Sequence, residues 1–224
     1  MKKNAFTLAE VLIVIGIIGI VASVTLPNLS KNTSDADAVA KVKKTVATLQ
    51  TSLDMAKDKY GEDISTWTAS DSSDADKATR MGTRLAEFLS VSKICGLNTN
   101  QGCFSSSSST SVTGSAAMNS FDKNSNYYKI ILNDKVSVAF GSSFMYIDVD
   151  GPNKGLNKRG QDLFYLNYRD NNIYWRIPSD FDSVTGTNFC RSGTASYCTG
   201  WVMNFGNMDY IKCSGLTRTN TTCN

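Results

Sequence analysis

The richest run of hard oxygen donors is Asp148-Val-Asp150-Gly151-Pro152-Asn153-Lys154-Gly155-Leu156-Asn157-Lys158-Arg159-Gly160-Gln161-Asp162. Carboxylates at alternate positions, followed by glycine and asparagine, set oxygen ligands on a tight turn, which is what Ca²⁺ requires. Asp148, Asp150, Asn153, Asn157 and Asp162 are the candidate ligands, and calcium is the one cofactor the sequence suggests. The loop is not an EF-hand: Pro152 stands at the fifth loop position, Asn153 replaces the glycine at the sixth, and Arg159 replaces the glutamate at the twelfth. The competing reading is a solvated connection whose Asp and Asn residues make turns, and Lys154, Lys158 and Arg159 favour it. Other chemistry is poorly supported. The chain has no histidine, which removes Ser-His-Asp, Cys-His and His-Glu-x-x-His sites, and no glycine-rich phosphate loop follows a strand. Glutamate occurs only at positions 10, 62 and 87. We therefore expect no enzyme.

The other residue in an unusual setting is Glu10. It lies in an apolar run from Phe6 to Leu26 that ends at Pro27. At about 1.5 Å per residue this run is long enough to cross roughly 30 Å of hydrocarbon as a helix. A carboxylate facing lipid would cost on the order of 2.5 kcal/mol, so Glu10 requires a partner or a purpose. Lys2 and Lys3 precede the run and orient the N-terminus towards the cytoplasm, sending the remainder outward. A cleaved secretory signal ending near Val21-Ala22-Ser23 is the alternative, but the run is long for that and the glutamate would be unexplained.

The stretch Lys2-Lys3-Asn4-Ala5-Phe6-Thr7-Leu8-Ala9-Glu10-Val11-Leu12, followed by the apolar run and Pro27, resembles the class III leader and N-methylation motif of type IV pilins and type II secretion pseudopilins. The resemblance implies that a prepilin peptidase cuts between Ala5 and Phe6 and methylates the new amine of Phe6. It also implies that Glu10 pairs with the terminal amine of a neighbouring subunit during assembly. Such a pair is physically sound, because each buried charge offsets the desolvation of the other. One departure is Ala5, where the family usually has glycine. Gly16, Gly19 and Pro27 suit a helix that bends or partly melts in a filament, and are equally ordinary in membrane helices. The resemblance further implies a homo-polymer with other pilin-like subunits, an inner-membrane assembly platform, and a head that holds calcium in a loop.

The elements that would carry these residues follow from periodicity. Val39, Val42, Val46, Leu49, Leu53, Ala56 and Tyr60 form one apolar stripe on a helix that Gly61 ends. Packing on the protein's own sheet is preferred over a coiled coil, since fewer than four heptads are present. A capping box at Ser73 and Asp76 predicts a second helix over 74–91. Residues 95–126 read as a long loop with a serine run at Ser105 to Ser109. The period then changes to alternation. Tyr127 to Leu132, Lys135 to Phe140, Phe144 to Val149, Leu163 to Tyr168 and Ile173 to Ile177 read as strands of an antiparallel meander, and Met208 to Lys212 as a last strand. Cys198 to Phe205 reads as a short helix or an extended segment.

The six cysteines, Cys95, Cys103, Cys190, Cys198, Cys213 and Cys223, suit a disulfide-bonded extracytoplasmic protein. Proximity favours pairing in sequence order. A Cys198–Cys213 pair would instead resemble the closed C-terminal region of many pilins, and the sequence leaves the choice open. A net charge of +3 gives no argument for nucleic acid. The expected architecture is α+β: a pilin-like long N-terminal helix, membrane-spanning in its first half, packed against an antiparallel sheet. Its parts are a cytoplasmic leader (1–5), a transmembrane and assembly helix (6–30) and an extracytoplasmic head (31–224). The chain is expected as a single-pass inner-membrane protein in contact with lipid before assembly, and in a surface or periplasmic filament after it. The alternatives are a minor or tip adhesive pilin, or a membrane-anchored surface binding protein that does not polymerise.

Overall fold

The computed structural model describes residues 8–114, 118–152, 157–182, 190–192 and 195–223, with the backbone alone for 22–33, 178 and 180. It falls into two units, Met1–Asp37 and Ala38–Asn224. The first consists of helix α1 (Leu8–Tyr60) as far as Asp37, and its backbone stays helical through Pro27, where the sequence suggested an interruption. A proline removes one donor from the ladder, and the turns on either side keep theirs. Large apolar side chains from Leu8 to Val21 are exposed, Leu8 at 79% and Ile20 at 69%. Among the described residues no helix is long and apolar enough to cross a membrane. The described side chains of the apolar run end at Val21. Fourteen residues rise about 21 Å, short of the roughly 30 Å of a hydrocarbon core.

In the second unit, α1 buries the expected stripe: Val42, Leu49, Leu53 and Ala56 are fully covered. Gly61 follows at φ 107°, a left-handed conformation that stops the helix, and its amide closes the last turn on the Lys57 carbonyl. Helix α2 (Ile64–Trp67) is capped by Asp63, and α3 (Asp74–Ala86) by the Ser73 hydroxyl, which accepts from the Asp76 amide. Ser52 Oγ donates to the Leu85 carbonyl at 2.7 Å in the buried seam between α1 and α3.

Helix α3 ends five residues before the expected boundary at 91, because the chain there enters strand β1 (Val91–Gly96), which pairs with β3 (Tyr128–Leu132). The expected loop over 95–126 therefore begins later. Strand β1 escaped periodicity because it is a bulged edge strand whose Ile94 is 60% exposed, so its side chains do not alternate between core and solvent. The remaining strands are β2 (Thr110–Ser111), β4 (Ser137–Phe140), β5 (Phe144–Asp148), β6 (Lys158–Arg159), β7 (Leu163–Arg169) and β8 (Asn172–Tyr174). The sheet order is β1-β3-β4-β5-β7-β6-β2, with β8 paired to β7. The meander is antiparallel as expected, except that the two-residue strands β2 and β6 pair parallel, and β6 pairs parallel with β7.

Alternation along the strands divides the interior. Val138, Phe140, Met145, Ile147, Phe164 and Leu166 join the α1 stripe in one core, while Ala139, Tyr146 and Leu163 join Phe104 and Phe121 in a second, aromatic one. Helix α4 (Ala195–Phe205) resolves the choice at Cys198 to Phe205 in favour of a helix and buries Trp201 against Phe181. The expected strand over Met208 to Lys212 is instead a 3₁₀ turn, Asp209–Ile211. Its own bonds close the turn, from the Ile211 amide to the Met208 carbonyl and from the Lys212 amide to the Asp209 carbonyl at 2.9 Å each, and the Arg191 guanidinium braces it by donating to the Tyr210, Ile211 and Cys213 carbonyls at 2.6, 3.3 and 3.1 Å. The disulfides are Cys95–Cys103, Cys190–Cys198 and Cys213–Cys223.

Candidate functional site

The acidic turn is positioned by β5, which ends at Asp148, and by β6 and the start of β7. One Asp148 oxygen, Oδ1, accepts from the amides of Asp150 and Gly151 at 3.3 and 3.1 Å. Its other oxygen is buried without a hydrogen-bond partner, as are Asp150 Oδ1 and both side-chain heteroatoms of Asn157. Asp162 Oδ1 accepts from the Lys158 amide at 2.5 Å, and the Asp162 carbonyl accepts from the Val149 amide at 2.9 Å, closing the turn. Buried polar atoms of this kind are expected to find a partner, so orphaned oxygens on one turn call for an explanation.

Electrostatics agree with the geometry. Burial pushes the Asp148 carboxyl well above its ordinary range, and the neighbouring Asp150 and then Asp162 carboxyls add to the effect. Burial likewise pushes Asp162 up to about 7, against the opposing hydrogen bond from the Lys158 amide. Both groups are therefore costly to ionise unless a cation is near. The Asp148 and Asp162 carboxyls thus feel the Asp150 carboxyl in common, whereas Asn153 lies outside the described residues. Among the described residues no group of three or more His, Cys, Asp or Glu side chains is arranged to hold a metal ion.

The turn rests on parts that sequence reasoning did not single out. Gly160, at φ 87°, packs so closely on a disulfide that an added Cβ would lie 2.4 Å from Cys198 Sγ and 3.3 Å from Cys190 Sγ. Its carbonyl accepts from the buried Tyr210 hydroxyl at 2.6 Å. Gly151, at φ 81°, passes the Lys135 carbonyl in the same manner, with a Cβ 2.5 Å away. The signal available in the sequence was the spacing of these glycines inside an acidic turn, though not their partners. A second internal charge was also missed. Lys129 is fully buried, donates to the Asn124 carbonyl at 2.7 Å, and has its ammonium pKa lowered by burial despite the nearby Asp122.

Of the N-terminal residues, Ala5 and Phe6 lie outside the described residues. Glu10 is exposed on the first turns of α1, and Cβ atoms built at Gly16 and Gly19 would meet nothing within 4 Å. The backbone of Pro27 is helical.

Residues 1–26 match the family described as the prokaryotic N-terminal methylation motif. Over 56 residues the chain is 46% identical to "Type II secretion system core protein G" of Escherichia coli (strain K12), covering 25% of this chain and 38% of that protein. The protein of the same name from Aeromonas hydrophila matches at the same identity and coverage, 46% over 56 residues. The match thus spans 38% of the length of these curated relatives. No solved structure matches the chain. The similarity to type II secretion pseudopilins is thus carried by the N-terminal segment, which holds the methylation motif.

Proposed function

We propose that the protein is a structural subunit of a type IV pilus-like filament or type II secretion pseudopilus, cut before Phe6 and polymerised through its N-terminal helix. The observation that carries this reading is the N-terminal methylation motif over residues 1–26, on a helix whose large apolar side chains from Leu8 to Val21 are exposed. Such a surface needs lipid before assembly and neighbouring helices after it. Glu10 would meet the Phe6 amine of an adjacent subunit, a pairing that makes its burial tolerable. The partners are other pilin-like subunits, the prepilin peptidase and an inner-membrane platform, and the role is structural rather than enzymatic. Intact mass of the chain co-produced with a prepilin peptidase tests this: loss of residues 1–5 with one added methyl group supports it, and an uncut or Ala22-cut product refutes it.

We further propose that the acidic turn of the head takes up calcium. Asp148, Asp150, Asn157 and Asp162 would hold the ion, which would supply the charge that the orphaned oxygens lack. Calorimetry of the chelator-treated protein is expected to show calcium binding that disappears in the Asp148→Ala, Asp150→Ala double variant. Ion at a hundred times its Kd would add about 2.7 kcal/mol of stability. Absence of both heat and stabilisation would leave the segment a turn only.

A further inference from the structure

Residues 214–223 form a polar strap that is held to the head at few points. Leu216 is its one apolar side chain, 2% exposed and seated in the main core. Three hydrogen bonds fix its backbone: the Arg218 amide donates to the Phe181 carbonyl at 2.8 Å, Asn207 Nδ2 to the Thr221 carbonyl at 3.0 Å, and the Cys223 amide to Asp209 Oδ2 at 3.0 Å. Arg218 also pairs with Asp182, but both side chains are about half exposed and the pair contributes little. Ordering ten residues costs more than one buried leucine and three hydrogen bonds return. The Cys213–Cys223 disulfide supplies the difference, because it closes these residues into a loop before they dock.

The three disulfides differ in how a reductant can reach them. Cys95, Cys103, Cys190 and Cys198 are each at most 3% exposed, within the aromatic core or the main one, whereas Cys213 and Cys223 are half-buried. A thiol meets a buried disulfide only after the core opens, but a half-buried one after a local fluctuation of the strap. We infer that residues 214–223 are a redox-controlled strap, seated on the head while Cys213–Cys223 is intact and released when a dithiol reduces that bond. In the step, a thiolate of the dithiol attacks one of the two sulfurs and the S–S bond breaks. Its second thiol then displaces the protein sulfur, so two electrons and two protons pass to Cys213 and Cys223 and the dithiol leaves as a disulfide. Release frees the Phe181 carbonyl and the Asp209 carboxylate from their strap partners. Beneath the strap, Asn207 Oδ1 keeps the Trp201 indole N–H at 2.9 Å and the Asp209 amide at 3.1 Å, so α4 and the 3₁₀ turn stay in place.

The inference is independent of filament assembly and of calcium. The test treats the full, folded chain in detergent with dithiothreitol, quenches with iodoacetamide and maps the labelled peptides by mass spectrometry. Cys213 and Cys223 are expected to react at least about 100-fold faster than the other four cysteines, the ratio of local to global opening. In that selectively reduced protein, trypsin cleavage between Arg218 and Thr219 should rise about tenfold, and re-oxidation with glutathione disulfide should restore the slow rate. The Cys213→Ser, Cys223→Ser variant should be cut at the fast rate without reductant while keeping the parent's near-ultraviolet circular dichroism. Labelling of the four buried cysteines in step with Cys213 and Cys223 overturns the inference. An Arg218–Thr219 bond no more labile after reduction, or a rate that re-oxidation does not restore, overturns it equally. Loss of the dichroism in the variant would mean that the fold opens rather than the strap, and refutes it as well.

Discussion

Substituting Gly160 by alanine tests how closely the acidic turn is pinned to the Cys190–Cys198 disulfide. Two penalties apply and can be separated. The backbone at φ 87° disfavours any Cβ, at about 1 to 2 kcal/mol. The added methyl would also lie 2.4 Å from Cys198 Sγ, 2.9 Å from its Cβ and 3.3 Å from Cys190 Sγ, and none of these atoms is the far end of a flexible side chain. Overpacking of this kind adds about 1 to 3 kcal/mol. Gly215 is the control, because it sits at φ 80° with nothing within 4 Å of a built Cβ, so its substitution incurs the first penalty alone. Gly160→Ala should thus lower stability by about 2 to 5 kcal/mol and Gly215→Ala by about 1 to 2, a difference of several degrees in Tm for a domain of this size. Urea unfolding with the disulfides intact measures both. In a Cys190→Ala, Cys198→Ala background the two sulfur contacts vanish, and the excess cost of Gly160→Ala should shrink by at least half. Equal losses for Gly160→Ala and Gly215→Ala, or an excess unmoved by removing the sulfurs, would refute the account.

Other substitutions probe the remaining parts. Gly82→Ala in α3 would gain about 1 kcal/mol of helix propensity, but its methyl would lie 2.3 Å from Tyr128 Cδ1 and 2.9 Å from its Cβ. With overpacking at about 1 to 3 kcal/mol the clash wins, so thermal unfolding should show a net loss. In chelator-treated protein, burial lets Asp162 hold its proton up to about pH 7 when folded, against the 3.8 ordinary for an aspartate. The folded state therefore binds more protons between those values, and stability should fall as pH rises from about 4 to 7, by at most about 4 kcal/mol. Urea midpoints across that range should show the fall, reduced in Asp162→Asn; a flat profile would contradict the burial assigned to this carboxyl. Glu10→Ala should leave membrane insertion intact while abolishing incorporation into sheared filaments, and normal filament yield would remove the support for an assembly role.

The apolar stripe from Val39 to Ala56 was legible because it repeats at helical spacing and one face is wholly covered. The strands from Tyr128 to Arg169 were legible as short apolar runs whose successive side chains enter two separate cores. What escaped the sequence depended on distant partners. Strand β1 is specified by pairing with β3, and the 3₁₀ turn at Asp209–Ile211 is braced by a guanidinium some twenty residues earlier in the chain. The disulfide pairing in sequence order matched proximity, though proximity alone could not decide it. At the acidic turn, the residue types exposed Asp148, Asp150 and Asp162 as a group. Their burial was hidden, because strand pairing and the C-terminal segment create it.

That burial gives the C-terminal segment a role beyond covering the core. Gly160 carries the disulfide against its α-carbon and Tyr210 on its carbonyl, while the Tyr210 carbonyl is held by Arg191, the residue next to Cys190. The same turn presents Asp162 to Asp148 across the β5–β7 pair, where Asp148 and Leu163 are in register. A movement of the disulfide would therefore reach the carboxylates through three bonded or touching groups, with no solvent between them to absorb it. If the turn takes up a cation as proposed, its occupancy is linked to the order of the C-terminal segment. An ion that draws Asp148 and Asp162 together should protect the Tyr210 region from hydrogen exchange.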